Sequence, residues 1–203
     1  MRIQYRHPRL YGFLIAFLYS RRLLRAIAGE VGEGHTVFEI AAGYGRLARI
    51  IHPSNRYAGV DRNELFVSYG RRQGLDLAVG DVFDPGAYRR SDVLLVVDII
   101  HHLPPPELTK LFDLVFAHAN KRVVIVEPAF VGLARSYGPF GALVDRLFKW
   151  VDYDGFNRIE RWMTNKEYFA LFADRFGSPA GHAFGLQHRE VGHHHVVTLD
   201  RNA

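Results

Sequence analysis

Two histidines in succession, His101-His102, follow one apolar run, and Glu127 ends the next such run just before Pro128. Histidine changes charge near neutral pH, so either ring can serve as a base toward an acceptor, with Glu127 as a second base or a group that positions the acceptor. The same residues also fit a plainer role, as polar groups at a loop start and a carboxylate beside the next helix. Upstream, Glu39-Ile40-Ala41-Ala42-Gly43-Tyr44-Gly45-Arg46-Leu47-Ala48 is a small-residue loop expected to open a helix. Gly43 and Gly45 let the backbone turn tightly and approach a ligand where a Cβ would clash, and the helix behind them would offer free amides. Gly43-x-Gly45-x-x-Ala48 also fits a dinucleotide fingerprint, so the loop alone does not distinguish ligands. Asp61 followed by Arg62, Asp81 followed by Val82, and Asp98 stand after successive apolar runs. A carboxylate such as Asp61 can accept both hydroxyls of a ribose, and equally can cap a helix.

Such residues act together only if a scaffold gathers them. Apolar runs of strand length recur at Thr36–Ile40, Tyr57–Val60, Leu75–Val79, Asp92–Val97 and Arg122–Val126, with helical segments between them. The runs Val93 to Val97 and Val123 to Val126 are apolar on both faces, as central parallel strands covered by helices on both sides must be. The expected fold class is α/β, with a doubly wound sheet. In such sheets a ligand sits outside the carboxyl ends of the strands, near the point where strand order reverses. The candidate histidines, carboxylates and glycines are the residues that follow the strands.

After the third strand stands Gly80-Asp81-Val82-Phe83-Asp84, and after the fourth Asp98-Ile99-Ile100-His101-His102-Leu103-Pro104-Pro105. With these motifs the segment from Val37 to Pro128 resembles the class I S-adenosylmethionine-dependent methyltransferases, among them small-molecule enzymes such as those of quinone biosynthesis. The resemblance implies a seven-stranded, mostly parallel Rossmann-like sheet with an antiparallel C-terminal hairpin, and S-adenosylmethionine as cofactor. It places Glu39, Ala41, Gly43, Tyr44 and Gly45 around the methionine part, and Asp61, with Arg62 next to it, at the ribose. Asp81 would accept from the adenine amino group beside the Val82 amide, and Asp98 would close the methionine side. Ala41 stands where the family usually has its first glycine, and binding is expected to survive that methyl. A sulfonium cation with a zwitterionic end suits carboxylates and aromatic faces.

The remaining segments are expected to cover this unit, within a single domain over residues 1–203. Residues 1–30 read as a helical cap, with one helix over about 8–28 carrying Leu10, Leu14, Phe17, Leu18, Leu24 and Ile27 at helical spacing. Its apolar run is too short to span a bilayer, and Arg21 and Arg22 follow it in place of a small-residue cleavage site. It is either a docking helix or lid, or an interfacial helix with arginines at lipid phosphates. Residues 129–163 read as a helical lid insertion. Its Phe130, Tyr137, Phe140, Phe148, Trp150, Tyr153, Phe156 and Trp162 suit an apolar or aromatic acceptor and equally suit ordinary lid core. Thr164-x-x-Glu167 would cap a helix over Glu167–Phe176. The tail alternates over Gly181–His188 and His193–Leu199 as a hairpin, putting His193 and His195 on one face and His194 on the other. No metal site is expected.

Composition bounds the function classes. A chain of 203 residues without cysteine excludes disulfides, thiolate metal sites and cysteine nucleophiles. The net charge of +5 is almost wholly arginine, since Lys110, Lys121, Lys149 and Lys166 are the only lysines among 26 basic residues. The leading expectation is methyl transfer to oxygen or carbon of a small apolar acceptor, in a cytoplasmic enzyme with or without peripheral membrane contact through residues 8–28. An RNA methyltransferase acting on guanine or ribose is an alternative. Against nucleic acid, the Asp/Asn-Pro-Pro-aromatic motif of exocyclic amino methylation is missing after the fourth strand. A methyltransferase-like domain that binds cofactor without turnover is another reading. An NAD-binding oxidoreductase is disfavoured, because Glu39 and Asp81 would lie close to its diphosphate.

Overall fold

The computed structural model describes residues 6–16, 19–128 and 184–202, together with 140, 143, 167, 170 and 171. The expected lid over 129–163 lies outside the described residues apart from Phe140 and Leu143, as do most of the helix expected over Glu167–Phe176, its capping Thr164, and residues 181–183 of the hairpin.

The alternation of apolar runs yields β1 (Thr36–Ile40), β2 (Arg56–Asp61), β3 (Asp76–Val79), β4 (Ser91–Val97) and β5 (Ala119–Pro128), followed by β6 (Phe184–Val191) and β7 (His194–Arg201). Between them lie α3 (Glu64–Arg71) and α4 (Pro105–His118), and ahead of them α1 (Pro8–Ala16) and α2 (Arg21–Val31). The seven strands form one sheet in the order β3-β2-β1-β4-β5-β7-β6. The first five are mutually parallel, while β7 runs antiparallel to both β5 and β6. Strand order reverses beside β1, whose neighbours are β2 on one side and β4 on the other. A ligand crevice is expected at the carboxyl ends there.

Both faces of the central strands are buried, as their apolar runs require. On one face Phe38, Ile40, Leu94, Val96, Val123 and Ile125 pack with Leu111, Phe112 and Val115 of α4. On the other, Val37, Val93, Leu95, Val124 and Val126 pack with Leu23, Ile27 and Val31 of α2. Each such side chain contributes about 1.5–3 kcal/mol by leaving water. At the opposite end of the sheet from the crevice, Asp92 Oδ2 accepts from Thr36 N–H (3.0 Å) and Thr36 Oγ1 (2.9 Å), tying β4 to the start of β1. The Thr36 amide, with further help from Lys121, lowers the Asp92 carboxyl to about 2.

Three local expectations need correction. The helix expected over 8–28 is two helices, because the Ser20 backbone is extended (φ −63°, ψ 152°) and its hydroxyl accepts from Leu23 N–H, starting α2 afresh. The first helix then folds onto α3, with Tyr11 and Phe66 ring centroids 5.1 Å apart. A Cβ on Gly12 would lie 2.7 Å from Tyr44 Oη, so a larger residue there must displace the Tyr44 hydroxyl. The helix expected after the Gly43-Gly45 loop is only a 3-10 turn, Arg46–Arg49. The rest of that connection is taken by a turn at residues 52–55, closed by Asn55 N–H on His52 O, before β2 begins at Arg56. Finally, His193 occupies the exposed turn between β6 and β7, so that only His194 and His195 alternate across the sheet. No helix among the described residues is long and apolar enough to cross a membrane.

Candidate active site

The end of β1 delivers Glu39 into the protein, 4% exposed. The Tyr57 hydroxyl of β2 donates to Glu39 Oε2. Burial raises the Glu39 carboxyl to about 8, with the Asp61 and Asp98 charges adding to the rise and the Tyr57 hydrogen bond opposing it. Burial and the neighbouring Glu39 push the Tyr57 phenol well above its ordinary range.

The loop after β1 turns through three left-handed residues, Ala41 (φ 53°), Gly43 (φ 57°) and Gly45 (φ 76°). At Ala41 the methyl costs about 1–2 kcal/mol of backbone strain, which explains why a glycine is the easier residue there. Asp61, at the end of β2, binds this loop: its Oδ2 accepts from Gly43 N–H (2.7 Å) and its Oδ1 from Asn63 N–H (2.7 Å). Tyr44 is half-buried and meets Phe66 edge-on at 5.9 Å. Arg62 points to the exposed surface. Beyond β3, exposed Asp81 accepts from Phe83 N–H (2.8 Å), and the Val82 carbonyl accepts from the Tyr88 hydroxyl (2.7 Å).

At the end of β4, Asp98 is also left-handed, at φ 53°. Its Oδ2 accepts from the hydroxyl of Tyr19, a residue from the junction between α1 and α2. Burial, reinforced by Asp98, raises the Tyr19 phenol well above its ordinary range. The Tyr19 ring lies 4.3 Å from the Arg46 guanidinium and 5.3 Å from the His194 ring. Tyr19, Tyr57 and Arg46 were not among the candidates from sequence. For Arg46 the signal was its place directly after the last loop glycine; for the two tyrosines no local signal exists, because each meets its carboxylate from a different element.

His101 follows in the 3-10 turn Ile100–His102, where it is almost fully buried. Its Nδ1 bonds Glu127 Oε2 at 2.7 Å, and Glu127 Oε1 accepts from Ile99 N–H (2.8 Å) and Ile100 N–H (2.7 Å). Glu127 therefore caps this turn from the neighbouring strand and orients His101, whereas its sequence position suggested a cap for the helix after it. The His102 ring, half-buried, rests 4.1 Å from that of His101. Further along the strand ends, burial lowers His194 to about 4, and His188 Nε2 bonds His195 Nδ1 at 3.0 Å. Among the described residues no three histidines or carboxylates are grouped to hold a metal ion.

Glu39, the loop 41–45, Asp61 and Asp98 thus meet at the order reversal, Asp81 and Val82 follow β3 on one side, and His101 with Glu127 follow β4 and β5 on the other. Strand order 3-2-1-4-5-7-6 with an antiparallel seventh strand is the class I S-adenosylmethionine-dependent methyltransferase fold, and solved structures of such proteins superpose on the chain. An O-methyltransferase family protein from Burkholderia thailandensis does so with a TM-score of 0.68 at 14% identity, over 96% of this chain and 59% of that one. Magnesium protoporphyrin IX methyltransferase from Synechocystis, with bound SAH, gives 0.58 at 12% identity, over 97% and 84%. Human N-acetylserotonin methyltransferase, in complex with SAM, gives 0.62 at 17%, over 90% and 51%. The chain therefore spans between about half and three fifths of the first and third of these proteins. No protein-family model matches the chain, and a search of curated proteins found no match.

Proposed function

We propose that the protein transfers a methyl group from S-adenosylmethionine to oxygen or carbon of a small, apolar or aromatic acceptor. The carrying observation is the kind of cradle found beside β1. Carboxyl groups of Glu39, Asp61 and Asp98 gather around the loop, and behind the loop stands a four-residue 3-10 turn in place of an α-helix. A diphosphate would call for an α-helix N-terminus and few acids; a cationic sulfonium with an amino-acid end suits the groups present. The names of the three superposed proteins, all methyltransferases, support the same reading.

When bound, S-adenosylmethionine supplies an electrophilic methyl group. The chain's own residues do the rest. Glu39 and Asp98 face the methionine side, Asp61 the ribose and Asp81 with the Val82 amide the adenine. His101 is the base: a carboxylate on Nδ1 holds the proton there, so Nε2 is the ring atom suited to take the proton of an acceptor hydroxyl. Glu127 is a positioning residue, and His102 supports the ring from the side. Tyr19, from the junction between α1 and α2, covers the methionine side through its bond to Asp98 and helps exclude water there.

Calorimetry with S-adenosylhomocysteine and NAD, on the wild type and on Asp61→Ala and Asp81→Ala, tests this reading. Binding of the first alone, weakened by both substitutions, is expected. Binding of NAD, or of neither ligand, would overturn it.

A further inference from the structure

The Arg46 guanidinium is in an unusual position for so strong a donor. Its Nη1 is buried and has no hydrogen-bond partner among the described residues. The ring of Tyr19 at 4.3 Å attracts the guanidinium by its face. That contact leaves Nη1 unsatisfied, and a buried donor in that state is destabilising unless something else accepts from it. The nearby acids do not fill the gap. None of them bonds Nη1: Glu39 Oε2 accepts from the Tyr57 hydroxyl, Asp98 Oδ2 from the Tyr19 hydroxyl and Asp61 Oδ2 from Gly43 N–H. Arg46 is nevertheless held firmly in place. Gly45, at φ 76°, turns the chain so that Arg46 begins the 3-10 turn, and Tyr19, pinned to Asp98, covers it from the N-terminal side.

A buried guanidinium nitrogen without an acceptor, on a planar cationic fork, is matched by a carboxylate. We propose that Arg46 binds the α-carboxylate of the cofactor's amino-acid end and so selects ligands that carry it. The assignment rests on S-adenosylmethionine being the cofactor, and it explains one feature that the acids alone leave aside. A site built from acids suits the sulfonium and the ammonium, but would repel the carboxylate between them. Arg46, next to the Tyr19–Asp98 contact on the methionine side, is the described cation that offsets this repulsion.

The test compares S-adenosylhomocysteine with S-adenosyl-3-thiopropylamine, which keeps the amine and lacks the carboxylate, by calorimetry on the full chain. The wild type should prefer the first. In Arg46→Met the affinity for S-adenosylhomocysteine should fall about 30-fold, as loss of a charge-assisted pair implies, while the amine analogue binds within about 2-fold of wild type on the same scale. Arg46→Lys should recover part of the preference. Unchanged binding of the analogue also serves as the control for folding. Equal loss of both ligands in Arg46→Met, no loss of either, or a wild type without preference would overturn the role of Arg46. A wild type that binds neither compound would overturn the cofactor reading itself, a result distinct from the other three.

Discussion

Glu39 and Tyr57 form a buried pair that is neutral when the carboxyl keeps its proton, and this has a measurable consequence. Between the ordinary carboxyl value of 4.5 and about 8 the folded chain holds a proton on Glu39 that the unfolded chain has lost. Stability must therefore fall as pH rises through that window. Denaturant titrations of Glu39→Gln at pH 5 and pH 8 should show this part of the pH dependence removed. At Ala41 the left-handed backbone predicts the opposite of the usual effect of glycine: Ala41→Gly should stabilise the protein by about 0.5–1 kcal/mol in urea unfolding, strain relief exceeding the added chain entropy. Glu127→Gln separates capping from proton placement. The glutamine oxygen can still accept from Ile99 and Ile100, but its amide now faces His101 Nδ1, forcing that nitrogen to accept and moving the proton to Nε2. Two-bond 15N–1H spectra should report the switched tautomer in a folded protein, and methyl transfer should be lost. The carboxylates themselves were readable because Asp61 and Asp98 directly follow apolar runs and Glu39 stands one residue before the end of another. Their tyrosine partners were not: Tyr19 and Asp98 are 79 positions apart, and only the folded sheet brings them together.

Helices and strands were legible to different degrees, for physical reasons. The central strands β1, β4 and β5 were evident because burial on both faces leaves a run of apolar residues that no exposed element tolerates. The break between α1 and α2 was hidden, since apolar spacing continues across Ser20 and only its hydroxyl contact with Leu23 N–H reveals the stop. Ser20→Ala should cost about 1 kcal/mol in thermal or denaturant unfolding, the usual loss for an N-cap. The loop's short 3-10 turn was likewise illegible, because its length is set by the return to β2 and not by its own residues. Docking of α1 depends on Gly12. Gly12→Val would drive a side chain into Tyr44 Oη, so α1 should lift from α3, and cleavage by trypsin at exposed Arg9 should become faster while the melting temperature changes little, since α1 adds no residue to the described core clusters.

The topology of the whole molecule followed from the alternation of elements together with the motifs at the strand ends. What sequence could not supply was the meeting of three distant segments, the α1–α2 junction, the β1 loop and the β4 end, at one crevice. One feature of that topology reaches beyond binding and catalysis. The seventh strand is wedged between β5 and β6, so the longest central strand has its second neighbour only when residues 194–201 are in place. On the ribosome, β5 emerges with one ladder of amides and carbonyls unpaired, and it stays so while the next 65 residues are made. A nascent chain in that state presents an apolar strand edge to any other nascent chain. Translation pauses or truncations upstream of β7 should therefore lead to aggregation, even though the nucleus of the sheet is already synthesised.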